Sequence, residues 1–356
     1  AGINLNPFGI GGDYLPYGNV CDIGFSMDAG QKATCSHLEI MNDRLPGSTL
    51  FKENLSDGYS GIFANILKVE NGSYLLDGGE TGSFVVADPS RNSAPMLRTK
   101  FTAEKSIEAA RLYVTSRGIY EVYINGERVG DDYYNPGLTQ YNKSHMYQTY
   151  DVGGLLNTGE NALGAMLAEG WWSGLLSFTP MWNHWGDRQS LLAKLVISYS
   201  DGSEKIITTN NSDWKFYSNG PIVYSSLSLG EIYNATKEDG IEGWSNPGYD
   251  DSAWKTASKV PLEGTIYTGT EKAFDGTIMD LSFADMQLTG QIGNNAGVFT
   301  TLKAQSVKEV REGIFVYDMG QNFVGVPRIT LASASAGDTM ILRVSEMLYP
   351  DLEESG

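Results

Sequence analysis

Four tryptophans, Trp171, Trp172, Trp182 and Trp185, lie within fifteen residues of one another in the segment GWWSGLLSFTPMWNHWGDR. An aromatic face stacks on the C–H face of a sugar ring, while nearby acids and amides bond to the sugar hydroxyls. This segment, which includes Asp187, is therefore the best candidate for a sugar-binding site. Tryptophans also anchor hydrophobic cores, so burial of some or all of them is the alternative. The candidate sugar-binding residues are Trp171, Trp172, Trp185, Asp187 and Glu231.

The other chemistry-bearing residues form no recognisable catalytic set. Glycoside hydrolysis requires two carboxyl groups about 5–10 Å apart on either side of the scissile bond. Asp131-Asp132 and Asp250-Asp251 lie in turn contexts, where acids usually bond to the backbone. The histidines (His37, His145 and His184) are scattered, and the sequence contains no nucleophile elbow, phosphate-binding glycine loop or metal-binding histidine spacing. We therefore predict no catalytic residue in this chain.

The charge balance excludes some partners. The 356 residues include 43 Asp and Glu against 25 Lys and Arg, which gives a formal net charge of −18. Nucleic acids and anionic lipids bind to clustered basic surfaces, so we expect neither nucleic acid nor membrane as a partner. No apolar run approaches the roughly 20 residues of a membrane span. A neutral ligand such as a sugar suits this balance.

The N-terminal residues and the two cysteines give information on the cellular compartment of the protein. Residues 1–5 (AGINL) lack the charged start and apolar core of a secretory signal. We expect a periplasmic or secreted protein whose signal has been removed, with a cytoplasmic location as the alternative. Cys21 and Cys35 define neither a disulfide scaffold nor a metal motif. The sequence is compatible with two free thiols and equally with one disulfide between them.

Hairpin signals predict the elements that position these residues. Tyr120, Val122 and Ile124 share one face of an extended segment, and Asn125-Gly126 follows as a tight type I′ turn. Asn71-Gly72 and Asp201-Gly202 predict further hairpins in the same way. Short alternating strands between such turns are typical of sandwiches and jelly rolls, and no βαβ alternation is present. The predicted fold class is all-β, with consecutive β-sandwich or jelly-roll domains.

A chain of this length exceeds one ordinary core, and three domains are predicted. The turn-rich segment 88–95 (DPSRNSAP) is typical of a linker. Residues 1–98 would form an N-terminal β-sandwich, either lectin-like or a structural spacer. Residues 99–258 would form a jelly roll resembling carbohydrate-binding domains. Residues 259–356 would form a third β-sandwich, with strands at 314–316, 329–331 and 340–344.

An ordered series of turn residues and aromatic residues gives the chain a family resemblance. The series contains Asn125-Gly126, Val129-Gly130-Asp131, Asn135-Pro136-Gly137, Tyr141, Tyr147, Tyr150-Asp151-Val152, Leu155, Gly159 and Asn161. It continues with Gly170-Trp171-Trp172, Gly186-Asp187-Arg188, Gly230-Glu231, Trp244, residues 250–254 (DDSAW), residues 318–325 (DMGQNFVG), Arg343 and Glu346. In this order and spacing, the chain resembles the N-terminal accessory region of the bacterial α-L-rhamnosidases.

The resemblance implies a role beside a catalytic domain. α-L-Rhamnosidases of this kind are inverting enzymes whose general acid and general base are glutamates in an (α/α)6 barrel that follows the β domains. The sequence shows no series of long amphipathic helices that would form such a barrel, so we expect the chain to be inactive alone. The partners that the resemblance implies are the enzyme's own C-terminal catalytic domain and a rhamnose-containing carbohydrate.

The resemblance also suggests calcium as a cofactor. In relatives, the domain that matches residues 99–258 can bind rhamnose through a calcium ion, which takes several oxygen ligands. The candidate metal ligands are Asn183, Asp187 and Asn234, with Glu231 as a further contributor. Relatives commonly carry aspartate and then arginine where this chain has Asn234 and Thr236, so an ion pair of the family would be lost here.

The sequence therefore favours one function over two others. The chain is predicted to be the N-terminal accessory portion of a glycoside hydrolase that releases terminal α-L-rhamnose, supporting the catalytic barrel and binding rhamnose. The alternatives are a stand-alone, lectin-like carbohydrate-binding protein without catalysis and a purely structural array of sandwiches. The structural array predicts that all four tryptophans are buried.

Overall fold

The computed structural model describes residues 23–26, 28–42, 48–54, 68–77, 84–87, 94–176, 181–182, 184–186, 188–227, 230–262, 266, 269–272, 275–335 and 337–346. Across these residues the chain consists of β-strands and loops with three short 3₁₀ helices, which confirms the predicted all-β fold class. None of these helices has the length and apolar character to cross a membrane. The chain divides into two compact units, residues 1–295 and 296–356. The three predicted domain ranges stay predictions.

Small antiparallel sheets form the first part of the chain. Their strands are β1 (Ile23–Ser26), β2 (Lys32–Cys35), β3 (His37–Asn42), β4 (Ser48–Asn54), β5 (Lys68–Glu70), β6 (Ser73–Asp77) and β7 (Phe84–Ala87). The pairs are β1 with β7 and β3 with β4, and β6 lies between β2 and β5. Asn71 and Gly72 have φ angles of 50° and 69° between β5 and β6, which confirms the predicted hairpin. Cys35 is a free thiol, and Cys21 lies outside the described residues.

Two larger sheets follow. Their strands, and the short strands that accompany them, are β8 (Met96–Ala103), β9 (Ile107–Arg117), β10 (Ile119–Ile124), β11 (Glu127–Arg128), β12 (Ser144–Asp151), β13 (Gly159–Ala168), β14 (Leu175–Leu176), β15 (Met181–Trp182), β16 (Ser190–Tyr199), β17 (Glu204–Thr208), β18 (Lys215–Tyr217), β19 (Ile222–Ser226), β20 (Gly230–Tyr233), β21 (Lys255–Thr256), β22 (Thr270–Lys272), β23 (Ile278–Asp280) and β24 (Gln287–Gly290). The 3₁₀ helices are Gly153–Leu155, Ala235–Lys237 and Asp239–Ile241.

The two larger sheets pack as a β-sandwich. One has the strand order β11-β10-β13-β8-β18-β21, and the other has the order β17-β16-β9-β12-β24. One hydrophobic core takes side chains from both sheets, among them Leu112 and Leu195 from the second and Ile124 and Leu163 from the first. Residues in a strand alternate between its two faces, so each strand contributes every second residue to this core.

The central hairpin joins β10 and β11 as predicted. Asn125 and Gly126 have φ angles of 51° and 90°, and Ile124 pairs with Glu127 across the turn. The Asn125 side chain donates to the Leu155 carbonyl (2.8 Å) and to Asn161 Oδ1 (2.7 Å). Asn161 is fully buried, so this amide pair ties the hairpin to the start of β13.

A buried ion pair fastens the last segment of the sandwich to its first strand. Arg98, on β8, is fully buried, and its Nη1 pairs with Asp251 Oδ2. Its Nε donates to the Trp244 carbonyl (2.8 Å), and its Nη2 donates to the Asn246 carbonyl (2.9 Å). Lys215 Nζ lies 2.7 Å from the other oxygen of the Asp251 carboxylate. Asp251, predicted to have a structural role in a turn, thus pairs with one buried cation, Arg98, and one partly exposed cation, Lys215.

The second unit has one hairpin among its described residues, formed by β25 (Ser306–Arg311) and β26 (Ile314–Asp318). Strands were also predicted at 329–331 and 340–344, and this prediction is wrong because neither stretch forms a strand. Alternation of apolar and polar residues indicates a segment that can form a strand. The strand forms only when a neighbouring strand hydrogen-bonds to its backbone.

We expect Arg98→Met to lower the free energy of unfolding by about 3–5 kcal/mol, since it leaves Asp251 and two backbone carbonyls without their buried donor. Urea denaturation followed by tryptophan fluorescence measures this change. Lys105→Met is the matched control, because Lys105 pairs with Asp201 at a half-exposed site and should change stability little. Equal losses in both variants would contradict a special role for the buried pair.

Candidate carbohydrate-binding site

Two of the predicted sugar-binding tryptophans belong to a core. Trp172 is 1% exposed and Trp185 is 9% exposed. The Trp172 ring lies edge-on to Tyr141, with centroids 5.5 Å apart, and to Phe283, with centroids 5.9 Å apart. Both tryptophan rings are enclosed by protein, so neither offers a face on which a sugar could stack. The structure assigns them to packing instead of to the predicted site.

Trp171 instead forms part of a surface group of three rings. It is half-buried, and its ring centroid lies 6.2 Å from that of Tyr134 at an interplanar angle of 71°. The Tyr134 side chain is 37% exposed, and the ring of Tyr133 lies 6.3 Å from it. We call Tyr133, Tyr134 and Trp171 the aromatic corner. The purely structural alternative predicted that all four tryptophans are buried. Trp171 is partly exposed and does not agree with that prediction.

The backbone fixes Trp171 at this corner through a glycine. Gly170 has a φ of +62°, and a Cβ at this position would lie 2.6 Å from Ile119 Cγ2. Only glycine combines this left-handed conformation with so close an approach to the neighbouring strand. The sharp turn after β13 therefore directs Trp172 inward and leaves Trp171 at the surface.

The loop that carries Tyr134 is held by backbone hydrogen bonds on both sides. Tyr134 has a φ of +62°, a conformation that few non-glycine residues adopt. Gly137 N donates to the Tyr134 carbonyl (3.0 Å), and Tyr120 N donates to the Asn135 carbonyl (3.1 Å). The Tyr134 ring is therefore positioned by its backbone.

Charged side chains border the aromatic corner. The Arg128 guanidinium lies 5.1 Å from the centroid of the Tyr133 ring, and its Nη2 lies 3.2 Å from Glu121 Oε1. The Tyr123 hydroxyl donates to the other oxygen of Glu121 (2.7 Å). Guanidinium and carboxylate groups beside exposed rings provide the donors and acceptors that sugar hydroxyls require.

Glu231 lies on β20, close to the same region. Glu231 pairs with Ser225 of β19, and the Ser225 carbonyl accepts from the N–H of Glu169, two residues before Trp171. Although much of its side chain is exposed, partial burial raises the pKa of the Glu231 carboxyl, and the charge of Glu121 raises it further. Glu231 and Glu121 are thus near enough for their charges to interact.

The predicted calcium ligands stay predictions. Asn183 and Asp187 lie outside the described residues. Asn234 Oδ1 accepts from the N–H (3.1 Å) and the hydroxyl (2.7 Å) of Thr236, so this oxygen caps the 3₁₀ helix that follows. Among the residues that the structure describes, no three His, Cys, Asp or Glu side chains come together as a metal site.

Two of the three histidines of the chain take part in packing. His145 and His184 are buried, and His145 Nε2 lies 2.8 Å from the Ser116 carbonyl. Burial lowers the pKa of His145, which favours its neutral form. The His184 ring contacts that of Trp185, with centroids 4.6 Å apart.

Four residues of this surface were not predicted from the sequence: Glu121, Arg128, Tyr133 and Tyr134. The adjacent tyrosines before Asn135-Pro136 were a usable signal, because exposed aromatics in a turn are common in binding surfaces. No residue pattern in the sequence predicts the positive φ of Tyr134. The ion pair between Arg128 and Glu121 follows from the register in which β10 and β11 pair.

Fold and surface together define an all-β protein with a β-sandwich that displays aromatic rings beside charged side chains. Residues 105–273 match the model of the α-L-rhamnosidase N-terminal domain, and residues 308–354 match the bacterial α-L-rhamnosidase concanavalin-like domain. These two matches, together with the relatives below, identify the chain as an N-terminal β-domain portion of the bacterial α-L-rhamnosidase family.

The relatives agree with this assignment. An α-L-rhamnosidase of Streptomyces avermitilis is 39% identical over 265 residues, which cover 74% of this chain and 23% of the relative. An α-L-rhamnosidase of Alteromonas sp. (strain LOR) is 38% identical over 254 residues, which cover 71% of this chain and 25% of the relative. The chain thus spans about a quarter of the length of these relatives.

A solved structure of the Streptomyces avermitilis α-L-rhamnosidase complexed with L-rhamnose is also similar to this chain. The TM-score is 0.56 and the identity 25%, over 84% of this chain and 34% of that structure. The α-L-rhamnosidase from Dictyoglumus thermophilum gives a TM-score of 0.53 at 32% identity, over 68% of this chain and 23% of that structure.

The two adjacent tryptophans should differ in their effect on stability. We expect Trp172→Ala to lower the free energy of unfolding by about 3–5 kcal/mol because it empties a closed core. The loss for Trp171→Ala should be clearly smaller, since Trp171 is only partly buried. Chemical denaturation of both variants measures the difference, and comparable losses would contradict the assignment of Trp171 to the surface.

The raised pKa of Glu231 predicts a pH-dependent effect of Glu231→Gln. Well below the usual pKa of 4.5 the carboxyl is protonated in both the folded and the unfolded states, so the stability difference between variant and wild type does not depend on pH there. As the pH rises through 4.5, the unfolded wild type ionises freely, whereas the folded wild type must ionise an unfavourably placed group. The stability of the variant relative to the wild type should therefore increase as the pH rises above 4.5 in denaturation experiments, and it should level off above the raised pKa of the folded state. A stability difference that stays constant above pH 4.5 would contradict the shift.

Proposed function

We propose that this chain is the accessory β-domain portion of a glycoside hydrolase that releases terminal α-L-rhamnose, and that it binds rhamnose-containing carbohydrate at the aromatic corner. Its second role would be to support the enzyme's own catalytic barrel, where the acid and base glutamates would lie. We further propose a periplasmic or secreted location. The match of residues 105–273 to the α-L-rhamnosidase N-terminal domain carries the proposal.

The chemistry of the aromatic corner supports the binding part of this proposal. Rhamnose is a 6-deoxy sugar, so a methyl group and ring C–H groups give it a large apolar face. The rings of Trp171 and Tyr134 provide apolar area at the surface, where such a face can be covered. Arg128 supplies hydrogen-bond donors beside them, and Glu121 and Glu231 supply acceptors. The net charge of −18 also suits a neutral sugar better than an anionic ligand.

Calorimetric titration with L-rhamnose tests this proposal. We expect the wild-type chain to release or absorb heat, and Trp171→Ala to weaken binding by about tenfold or more, as expected for the loss of a stacking ring. Phe299→Ala is the control: Phe299 is 99% exposed but is not part of the aromatic corner, so binding should not change. A wild type without heat, or equal affinity in Trp171→Ala, would reject rhamnose binding at this corner.

The same titration, repeated with calcium and then with a chelator, tests the proposed cofactor. If Asn183, Asp187 and Asn234 hold calcium that contacts the sugar, the affinity should fall on chelation and return with added calcium. An affinity that does not respond to calcium would remove the cofactor from the proposal and leave the aromatic corner as the site.

A further inference from the structure

Two hairpin turns of this chain have the same dipeptide at their tips. Asn71-Gly72 joins β5 to β6, and Asn125-Gly126 joins β10 to β11. The φ angles are 50° and 69° in the first turn and 51° and 90° in the second, so both backbones have the left-handed conformation of a type I′ turn. The two dipeptides therefore share their chemistry and their local geometry, and they differ in their surroundings.

The asparagine of an Asn-Gly pair can react with the backbone of the glycine that follows it. The glycine nitrogen attacks the side-chain Cγ and forms a C–N bond, and the side-chain amide leaves as ammonia with the proton of the glycine N–H. Water then opens the five-membered succinimide at one of its two carbonyls, which gives aspartate or isoaspartate. Asparagine is thermolabile for this reason, and glycine hinders the attack least because it has no Cβ.

This reaction depends on the freedom of the two reacting groups. The attacking nitrogen and Cγ must approach to about 3–3.5 Å with the correct alignment. The asparagine side chain and the next peptide group must both rotate to reach this arrangement. Any contact that fixes either group therefore slows the reaction.

Tertiary contacts fix both groups at the second turn. The Asn125 side chain donates to Asn161 Oδ1 (2.7 Å), and its oxygen accepts from Ala162 N (2.9 Å). The attacking nitrogen is also engaged, since Gly126 N donates to the Ser245 carbonyl (3.2 Å). Hydrogen bonds must break on both sides before the two atoms can meet, so the fold protects Asn125.

The first turn has no such restraint. Asn71 and Gly72 are exposed, and neither the Asn71 side chain nor the Gly72 N–H has a hydrogen bond within the part of the chain that the structure describes. The hairpin also lies at the edge of its sheet, because β5 has three residues and β6 separates it from β2. Short edge elements with few buried contacts open at low cost in free energy. The reacting groups at Asn71 are therefore free to rotate.

The third Asn-Gly pair of the sequence, Asn219-Gly220, is restrained by packing. Asn219 Oδ1 accepts from Lys237 Nζ (2.8 Å), and Gly220 is buried. A Cβ on Gly220 would lie 2.8 Å from Met96 Sδ, so the backbone at this glycine is closely packed. One exposed and two restrained Asn-Gly pairs thus occur in the same chain.

We propose that Asn71 is a site of spontaneous chemical modification, where deamidation through a succinimide gives isoaspartate and aspartate, and that the fold protects Asn125 and Asn219. Either product adds one negative charge to the tip of the hairpin. Isoaspartate also inserts one carbon into the backbone, which removes the two-residue turn that pairs Glu70 with Ser73. The modification requires no ligand other than water, and it is independent of sugar binding at the aromatic corner.

Timed peptide mapping of the wild-type chain tests this proposal. The folded protein is incubated in mildly alkaline buffer and digested with trypsin at set times. Asn71 and Asn125 are the only asparagines in their tryptic peptides, residues 69–91 and 118–128. Mass spectrometry detects the exchange of the amide NH₂ for OH, and labelling by an isoaspartyl methyltransferase detects isoaspartate. We expect Asn71 to convert about tenfold or more faster than Asn125, since breaking one or two hydrogen bonds accounts for such a factor.

Two controls accompany this measurement. In the chain unfolded by urea, Asn71 and Asn125 should convert at similar rates, because the tertiary restraint is absent. Asn71→Gln is the matched variant, since a glutamine would have to close a less favourable six-membered ring. Its peptide 69–91 should lose the isoaspartate label, although it still contains Asp77-Gly78.

Three results would overturn the proposal. The first is equal conversion of Asn71 and Asn125 in the folded chain, because the hydrogen bonds of Asn125 would then give no protection. The second is a folded chain that retains Asn71 over a period in which the chain in urea loses most of it. The third is an undiminished isoaspartate label in Asn71→Gln, which would assign the modification to Asp77.

Discussion

The buried pairing of Arg98 with Asp251 is the constraint on which the rest of the sandwich depends. A fully desolvated guanidinium costs several kcal/mol unless it is paired and hydrogen-bonded. Each of the three guanidinium nitrogens of Arg98 has a partner, and these partners are one carboxylate and two backbone carbonyls of a segment about 150 residues further along the chain. The same contacts bring Trp244 and Trp254, whose rings stack with centroids 6.1 Å apart, onto β8 and β13. Gly164 on β13 leaves room for the Trp244 ring, which a Cβ would displace.

The aromatic corner is an extension of that sheet. Strand β13 pairs with β8 on one side and with β10 on the other, and it leads directly into Gly170-Trp171-Trp172. Because β10 also pairs with β11, which carries Arg128, the register of one sheet places Arg128 and Trp171 in the same region. The loop 131–137 then adds Tyr133 and Tyr134 to the surface. Rigid strands with aromatic side chains in their connecting loops are a common way to build a ligand site.

The same loop contributes to two surfaces of different chemistry. Tyr133 and Tyr134 contribute apolar rings, whereas Asp132 is turned toward polar partners, Tyr150 and Asn295. Apolar faces cover the C–H groups of a sugar.

The sequence by itself determined the local elements. Asn125-Gly126 and Asn71-Gly72 adopt the positive φ angles that their residue types allow, and the alternation of Tyr120, Val122 and Ile124 identifies the buried face of β10. The all-β class follows from such local patterns. The sequence also contained the tryptophan segment, but it could not assign the individual rings. Trp172 is enclosed by Phe283, more than a hundred residues away, while Trp171 lies beside Tyr134. Likewise, the predicted strands at 329–331 and 340–344 do not form, whereas β24 pairs with the distant strand β12. Turn type depends on the intrinsic φ preferences of one or two residues, whereas burial and strand pairing depend on distant neighbours, and only the tertiary structure supplies those.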